Sequence, residues 1–388
     1  MGEGNIILDL MTEYVPEWVP AWSLPIQAAL VGVGVLVAFI SIMPLFFVWL
    51  ERKVSGHIQC RLGPMYAGGW HGWAQTIADG IKLFQKEDMI PIGADKPLFV
   101  LAPAVVLGSI FAAMAAFPFS YEVYWAGLPL GVFMILALSS TTTIGVIMAG
   151  WASNSKWSLY GAMREAAQVV AYEIPFGLSL LVPLMAVGTF SLIDASAQQA
   201  GWFGMHWAVF QNPFVLPSFL IFFTAALAET KRAPFDLPEA ESELVAGFLT
   251  EYSGIRWSFF FMEEYAAMFL MSAVGGFFFF GGFESPLTHF AREMFNEPGG
   301  AALPELLAQH GTVVGHTADH WIVSALCALT IILKGVAGVF LMMWLRWTLP
   351  RVRIDQVMTM GYKYLTPLAL VCVLGAAIFE ALWVVLTR

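Results

Sequence analysis

The sequence predicts an all-α polytopic membrane protein with about eight transmembrane helices, forming a single membrane domain over residues 1–388. Hydrophobic residues make up 59% of the chain and charged residues only 12%, about half the share that is usual in soluble domains. The apolar residues are concentrated in runs of about 20 residues, the length needed to cross a hydrocarbon core of roughly 30 Å. The 21 prolines and 35 glycines fit this class, because packed membrane helices tolerate both.

Eight apolar segments predict the spans. They cover residues 27–50, 98–121, 123–155, 174–193, 213–228, 265–283, 321–345 and 364–387. The fifth segment is short, and the seventh and eighth are interrupted only by Lys334 and Glu380. Hydropathy places the ends of such helices only to within a few residues.

The basic residues predict the orientation of the chain. Fifteen of the 18 Lys and Arg residues fall in the segments 51–97, 151–165, 229–256 and 346–363. Since cytoplasmic loops are enriched in Lys and Arg, these segments are predicted to be cytoplasmic and both termini to be on the periplasmic or outer side. Residues 1–25 contain four acidic residues and no basic one, so we expect an exposed acidic leader and not a cleaved signal peptide.

The cytoplasmic loop 51–97 is predicted to contain an amphipathic helix. Its apolar residues follow helical spacing, and they are Trp70, Trp73, Ala74, Ile77, Ile81 and Phe84. Such a helix commonly lies in the membrane interface or packs against a partner. A lipid-side entrance to a binding site is the alternative function.

The cytoplasmic loop 229–262 is unusually rich in carboxylates. These are Glu229, Asp236, Glu239, Glu241 and Glu243, and they stand close to Lys231 and Arg232. The capping of a helix start could explain Asp236 and Glu239 but not all five. Crowded carboxylates near apolar walls can exchange protons near neutral pH. A proton-handling site is therefore one interpretation, and a solvated acidic loop is the other.

Four further charges lie inside spans or at their mouths, namely Glu173, Glu263, Glu264 and Lys334. A charge at mid-membrane costs about 2.5–3.5 kcal/mol, so such residues usually face a polar interior or a proton path. Placement at the interface is the alternative for Glu263 and Glu264. Lys334 is too far from either helix end to reach water, and we expect it to pair with a carboxylate on another helix and to be needed for coupled proton transfer.

Sites for metals and nucleotides are not predicted. Cys60, Cys327 and Cys372 are far apart, which argues against an iron-sulfur cluster or a zinc site held by this chain alone. His316 and His320 form the one suggestive pair, and we do not expect them to bind a metal. Since nucleotide-binding and hydrolase motifs are lacking, no residue is assigned to catalysis and no nucleic-acid partner is expected.

The cytoplasmic segments resemble the quinone-chamber core membrane subunit of the proton-pumping NADH:quinone oxidoreductase known as respiratory complex I. The motifs that carry the resemblance are ERK and RLGP within 51–64, ADGIKLF at 78–84, SNSKWSL at 153–159, AET and RAPFDLPE within 228–239, SELVAGF at 242–248 and RWTLPRVRIDQ at 346–356. Together they span most of the chain. One departure is Lys231, which stands where that family usually has Asn.

This resemblance implies a subunit that joins the membrane arm to the peripheral arm, borders the quinone chamber and begins an acidic proton path. Carried over by motif, the residues near the chamber entrance would be Arg52, Arg61, Asp79 and Arg232. Those along the path would be Glu173, Glu229, Asp236, Glu239, Glu241, Glu243 and Glu264, to which Lys334 is added because of its depth.

The resemblance also implies the surroundings of the chain. Quinone would be a substrate, with no covalently bound cofactor and no iron-sulfur cluster in this chain. The partners would be the iron-sulfur and quinone-site subunits of the peripheral arm, the antiporter-like subunits of the membrane arm and the lipid of a prokaryotic inner (plasma) membrane. Two alternatives stay open: the membrane subunit of a related hydrogenase-type or other dehydrogenase complex, and a stand-alone cation/proton transporter.

Overall fold

The computed structural model describes residues 24–201, 206–238, 241–295 and 318–387. Within these ranges the chain forms helices and no β-strand. In chain order the helices are α1 (Leu24–Ile58), α2 (Gln75–Gln85), α3 (Lys96–Ala115), α4 (Gly131–Ala152), α5 (Lys156–Val187), α6 (Leu192–Gln198), α7 (Ala208–Gln211), α8 (Val215–Glu229), α9 (Glu241–Leu244), α10 (Gly254–Phe279), α11 (Pro286–Phe295), α12 (Ala318–Thr348), α13 (Ile354–Thr359) and α14 (Thr366–Thr387). A π-helical turn, Met360–Leu365, makes α13 and α14 continuous.

The polytopic all-α fold predicted from the sequence is confirmed. Among the residues that the structure describes, six helical segments are long and apolar enough to cross a membrane, namely α1, α3, α4, α5, α12 and the continuous α13–α14. The other two predicted spans are also helical: α8 has 15 residues, and α10 has 26 residues that include Glu263 and Glu264.

Several helix ends differ from the prediction. α5 begins at Lys156, so most of the predicted loop 151–165 is helical. The last helix likewise begins at Ile354, ten residues before the predicted start. Hydropathy missed both starts because polar side chains continue these helices beyond their apolar parts. The third predicted span is shortened to α4, because the uncharged residues before Gly131 form a loop.

α10 occupies the centre of the bundle. It packs against α1, α3, α8 and α12, and both its glutamates and its phenylalanine-rich C-terminal half are buried. The outer helices α1 and α14 instead expose many Leu, Ile and Val side chains, as is expected where helices face lipid. This arrangement places Glu263 and Glu264 among other helices and away from the lipid-facing surface.

The predicted amphipathic helix is α2. The side chains of Ile77, Ile81 and Phe84 are exposed in the isolated chain, so the helix has an apolar face that nothing in the described chain covers. Trp70 and Trp73 precede α2 and extend this face through a short 3₁₀ turn. The predicted acidic leader lies outside the described residues, apart from its last two positions, which begin α1.

Candidate functional site

Two of the residues predicted near a chamber entrance are in direct contact. Nη1 of Arg52, in α1, lies 2.6 Å from Oδ2 of Asp79, in α2. Both side chains are partly exposed, so the pair joins the two helices at the surface. Arg61 is exposed and donates a hydrogen bond to Gln59 at 2.6 Å, so it stands apart from this pair.

Arg232, the fourth residue predicted near the entrance, lies in a cluster of four charged side chains that we call the arginine cluster; three of them are buried and Arg346 is partly exposed. The cluster consists of Glu51, Arg232, Glu264 and Arg346. Arg232 Nε lies 2.8 Å from Glu264 Oε1, and its Nη1 lies 3.5 Å from Glu51 Oε2. Arg346 Nη1 lies 2.6 Å from Glu51 Oε1. A residue predicted for the chamber therefore contacts one that was predicted for the proton path.

The charges of the arginine cluster are matched, with two guanidinium groups and two carboxylates. Tyr265 completes it, donating a hydrogen bond to Glu51 at 2.5 Å and placing its ring 4.4 Å from the guanidinium carbon of Arg232. Burial opposes the positive charge of Arg232, but the neighbouring carboxylates outweigh this effect and hold its pKa above the usual value. Pairing with opposite charges compensates the desolvation cost of these buried groups.

A second group of buried charges, the lysine cluster, lies beside the first and consists of Glu165, Lys231 and Glu263. Lys231 Nζ lies 2.8 Å from Glu165 Oε1 and 3.4 Å from Glu263 Oε2. All three side chains are at least nine-tenths buried. Burial opposes the charge of Lys231, yet Glu165 and Glu263 raise its pKa above the usual value, so this lysine stays charged at neutral pH.

The sequence patterns did not identify Glu165 as a site residue. The hydropathy pattern predicts Glu165 at the end of a polar loop, whereas it lies in the third turn of α5. A signal was present, because Ala162, Glu165, Val169 and Tyr172 recur at helical spacing, and all four are buried. Extending that periodicity backwards would have put Glu165 on the inner face of the helix.

The backbone conformation just after α8 directs two consecutive side chains into the two different clusters. Lys231 has φ of 58°, in the left-handed region, which disfavours residues other than Gly, Asn and Asp. This turn directs the consecutive side chains of Lys231 and Arg232 towards different acids of α10. The family resemblance places Asn here, and Asn adopts this conformation more readily than lysine.

Glu173 and Glu229 line one cavity of about 300 Å³ between α4 and α5. Ser140 donates a hydrogen bond to Glu173 at 2.6 Å, and Ser139 lies beside Glu229 in the same wall. Oε2 of Glu229 is buried, whereas the Glu173 side chain is exposed. The cavity therefore leads from a partly buried carboxylate to the lateral surface of the chain.

The other predicted acids of loop 229–262 are dispersed. Asp236 pairs with Arg351 at 3.0 Å and Glu243 with Arg164 at 2.5 Å. Glu239 lies outside the described residues, and Glu241 begins α9, with its side chain also outside them. Asp236 and Glu243 are therefore not grouped at one point, because each pairs with a different segment of the chain.

The structure corrects the expectation that Lys334 pairs with a carboxylate. Its Nζ donates hydrogen bonds to the backbone carbonyl oxygens of Phe280, Gly282 and Glu284, at 2.6, 2.8 and 2.7 Å. Gly281 and Gly282 have positive φ, and this turn after α10 aims the carbonyls at the ammonium group. Among the described residues no carboxylate forms an ion pair with Lys334, which instead binds carbonyl oxygens of the turn that follows α10.

The cysteines are separate in the structure. Cys60 is exposed, whereas Cys327 and Cys372 are buried, and all three are free thiols. Over the ranges that the structure describes, no three His, Cys, Asp or Glu side chains are grouped so that they could hold a metal ion.

Comparisons with known proteins agree with the resemblance. A family model described as NADH dehydrogenase matches residues 31–377. The chain is 42% identical over 383 residues to the NADH-quinone oxidoreductase H subunit of Chlorobium luteolum, an alignment that covers 98% of this chain and 94% of the relative. It is 44% identical over 349 residues to the corresponding protein of Chlorobaculum parvum, covering 89% and 90%. That of Anaeromyxobacter dehalogenans is 41% identical, covering 90% and 81%. The chain therefore belongs to the NADH dehydrogenase family of membrane proteins.

Proposed function

We propose that this chain is the core membrane subunit of a proton-translocating NADH-quinone oxidoreductase, where it borders the quinone chamber and begins the acidic proton path. One observation carries the proposal beyond family membership. The arginine cluster adjoins the lysine cluster, Glu229 lies within electrostatic range of Glu263, Lys231 and Glu173, and Glu173 reaches the lateral surface. A series of charged side chains therefore extends from Glu51, near the end of α1, through the two clusters and Glu229 to Glu173 at the side of the bundle.

Entry of quinone would occur at the α1–α2 surface. The exposed apolar face of α2 suits contact with lipid or with an apolar substrate tail, and the Arg52–Asp79 pair fixes α2 against α1. Quinone, as the substrate, takes up electrons and protons when it is reduced, and the electrons come from iron-sulfur centres in partner subunits. This chain has no catalytic residue of its own in the proposal.

The buried charges would link that reduction to proton transfer. A change of charge near the arginine cluster alters the cost of ionising each neighbouring carboxylate. Glu264, Glu229 and Glu173 would respond in turn and pass protons towards the cavity. Asp236, Glu239, Glu241 and Glu243 would belong to the cytoplasmic start of this path.

The partners and the orientation are part of the same proposal. Peripheral-arm subunits would cover the cytoplasmic ends of the helices, and membrane-arm subunits would cover the surface at Glu173, where a charged side chain would otherwise face lipid at a cost. Both termini would lie on the outer side of a prokaryotic plasma membrane.

The test is purification of the complex that contains this chain. We expect iron-sulfur subunits to co-purify, quinone reduction to be blocked by chamber inhibitors, and Asp236→Asn or Glu241→Gln to lower coupled turnover while the complex still assembles. Nickel-binding partners would favour the hydrogenase-type alternative. Proton transport by the chain alone in liposomes would favour the stand-alone transporter.

A further inference from the structure

The two buried clusters differ in charge balance. The arginine cluster has two positive and two negative side chains, whereas the lysine cluster has one lysine for two carboxylates, Glu165 and Glu263. An unmatched charge in a buried site is costly, and protonation of the charged group is the usual relief. One proton added to the lysine cluster would bring its charge to zero.

The contacts show where such a proton could reside. Lys231 Nζ lies closer to Glu165, at 2.8 Å, than to Glu263, at 3.4 Å. The two contacts differ in kind, because the contact with Glu165 is the shorter, whereas the lysine donates a hydrogen bond to Glu263, and either carboxylate can therefore be the one that the lysine stabilises as an anion. Both carboxylate oxygens of Glu165 are buried without a hydrogen bond to any described residue, and Oε2, which is not the oxygen that faces Lys231, is a free position for a proton.

We propose that Lys231, Glu165 and Glu263 form a proton-loading site in which one proton alternates between the two carboxylates as the lysine changes its closer partner. Movement of the ammonium group towards Glu263 stabilises the Glu263 anion, and the O–H bond at Glu263 breaks as an O–H bond forms at Glu165. No charge enters or leaves during this exchange. The inference rests on the proposed function, because the reduction of quinone has to change the electrostatic potential at Lys231.

The groups around the site fit this role. Glu264 follows Glu263 on α10 and belongs to the arginine cluster. A change in the charge of Glu264 therefore alters the electrostatic energy of Lys231. Glu229, at the end of α8, lies on the other side within electrostatic range of both Lys231 and Glu263. The ring of Phe248, 5.7 Å from Lys231 Nζ, forms an apolar wall. A residue in a disfavoured backbone conformation is often retained for function, and Lys231 is such a residue.

The experiment uses the purified complex and its Glu165→Gln and Glu263→Gln variants, with Asp88→Asn as the matched control. Asp88 pairs with Arg256 in a partly exposed ion pair away from both clusters. Redox-difference infrared spectra in H₂O and D₂O would detect a protonated carboxyl group that changes upon quinone reduction. Proton translocation and inhibitor-sensitive quinone reduction would be measured on the same samples.

We expect the wild-type and Asp88→Asn complexes to show the carboxyl signal. Each glutamine variant should lose it and translocate protons at least about a hundredfold more slowly, the lower end of what a positioned proton-transfer group contributes, while uncoupled quinone reduction continues. An unchanged signal and rate in either assembled variant, or a wild-type spectrum without an exchangeable carboxyl signal, would overturn the inference. A wild-type complex that reduces no quinone would instead refute the proposed function.

Discussion

The carboxylate of Glu51 accepts a hydrogen bond from Arg346 at 2.6 Å, although 295 residues separate the two along the chain. The same carboxylate lies 3.5 Å from Arg232. One acid of α1 therefore neutralises a guanidinium from α12 and another from the loop after α8. Because Glu51 joins three distant parts of the chain and Glu264 adds a fourth, the arginine cluster contributes to the assembly of the bundle as well as to the proposed proton path.

We expect Glu51→Ala to destabilise the protein. The change leaves Arg232 buried with one carboxylate where it had two and removes the partner of Arg346. Removing one member of a buried ion pair typically costs about 3–5 kcal/mol. Since Arg346 is partly exposed, the lower end of that range is expected. Unfolding of the purified complex in detergent would measure it, with Asp88→Ala as a control expected to cost at most about 1 kcal/mol. Equal losses in the two variants would contradict this account.

Glu229→Gln should impair proton translocation more than quinone reduction. Glu229 is partly buried and lies between the lysine cluster and the cavity at Glu173, so its replacement interrupts the proposed path but leaves the chamber entrance intact. We expect translocation in proteoliposomes to fall at least about a hundredfold. Glu293→Gln, at an exposed acid of α11, should leave it unchanged. Retained translocation in Glu229→Gln would remove this carboxylate from the path.

Apolar runs were enough to predict the fold. Each predicted span contains a helix, because the length of a hydrocarbon-crossing helix is fixed by membrane thickness. Helix starts were missed where polar and charged residues continue a helix, as at Lys156 and Ile354. A window that averages hydropathy cannot distinguish a polar helical turn from a loop.

The candidate site was predicted by residue type but not by pairing. Arg232 and Glu264 were both selected, but their contact depends on how the end of α8 meets α10, which no local pattern encodes. Glu165 was missed for the same reason, since its importance comes from Lys231, 66 positions away in the sequence. Lys334 was correctly identified as deep in its helix, yet its partners are backbone carbonyls, which a sequence of side chains does not reveal.

The Arg52–Asp79 pair predicts an effect on quinone affinity. Asp79→Asn would weaken the contact between α1 and α2 and loosen the proposed entrance, while the partial exposure of both side chains limits the cost in stability to about 1 kcal/mol or less. We expect the KM for quinone to rise several-fold with little change in kcat. Steady-state assays with a soluble short-chain quinone would measure both constants. A change confined to kcat would argue against an entrance at this surface.

Lys334→Met should lower stability and leave the ratio of translocated protons to reduced quinone unchanged. All three donors of the ammonium group bind carbonyl oxygens of the turn after α10, and its loss would leave those acceptors without a partner in an apolar region. Each unsatisfied buried group costs about 1–3 kcal/mol, so unfolding in detergent should require clearly less denaturant than for the wild type.

The same variant tests the sequence-based expectation that Lys334 takes part in proton transfer. Lys334→Arg provides the comparison, because a guanidinium keeps the positive charge and several donors and should recover part of the lost stability. If the assembled Lys334→Met complex translocates fewer protons per quinone, the lysine belongs to the path despite its carbonyl contacts. If only stability changes, its charge serves to hold the turn that follows the central helix, and the path consists of the clusters around Glu51 and Lys231 together with the cavity at Glu173.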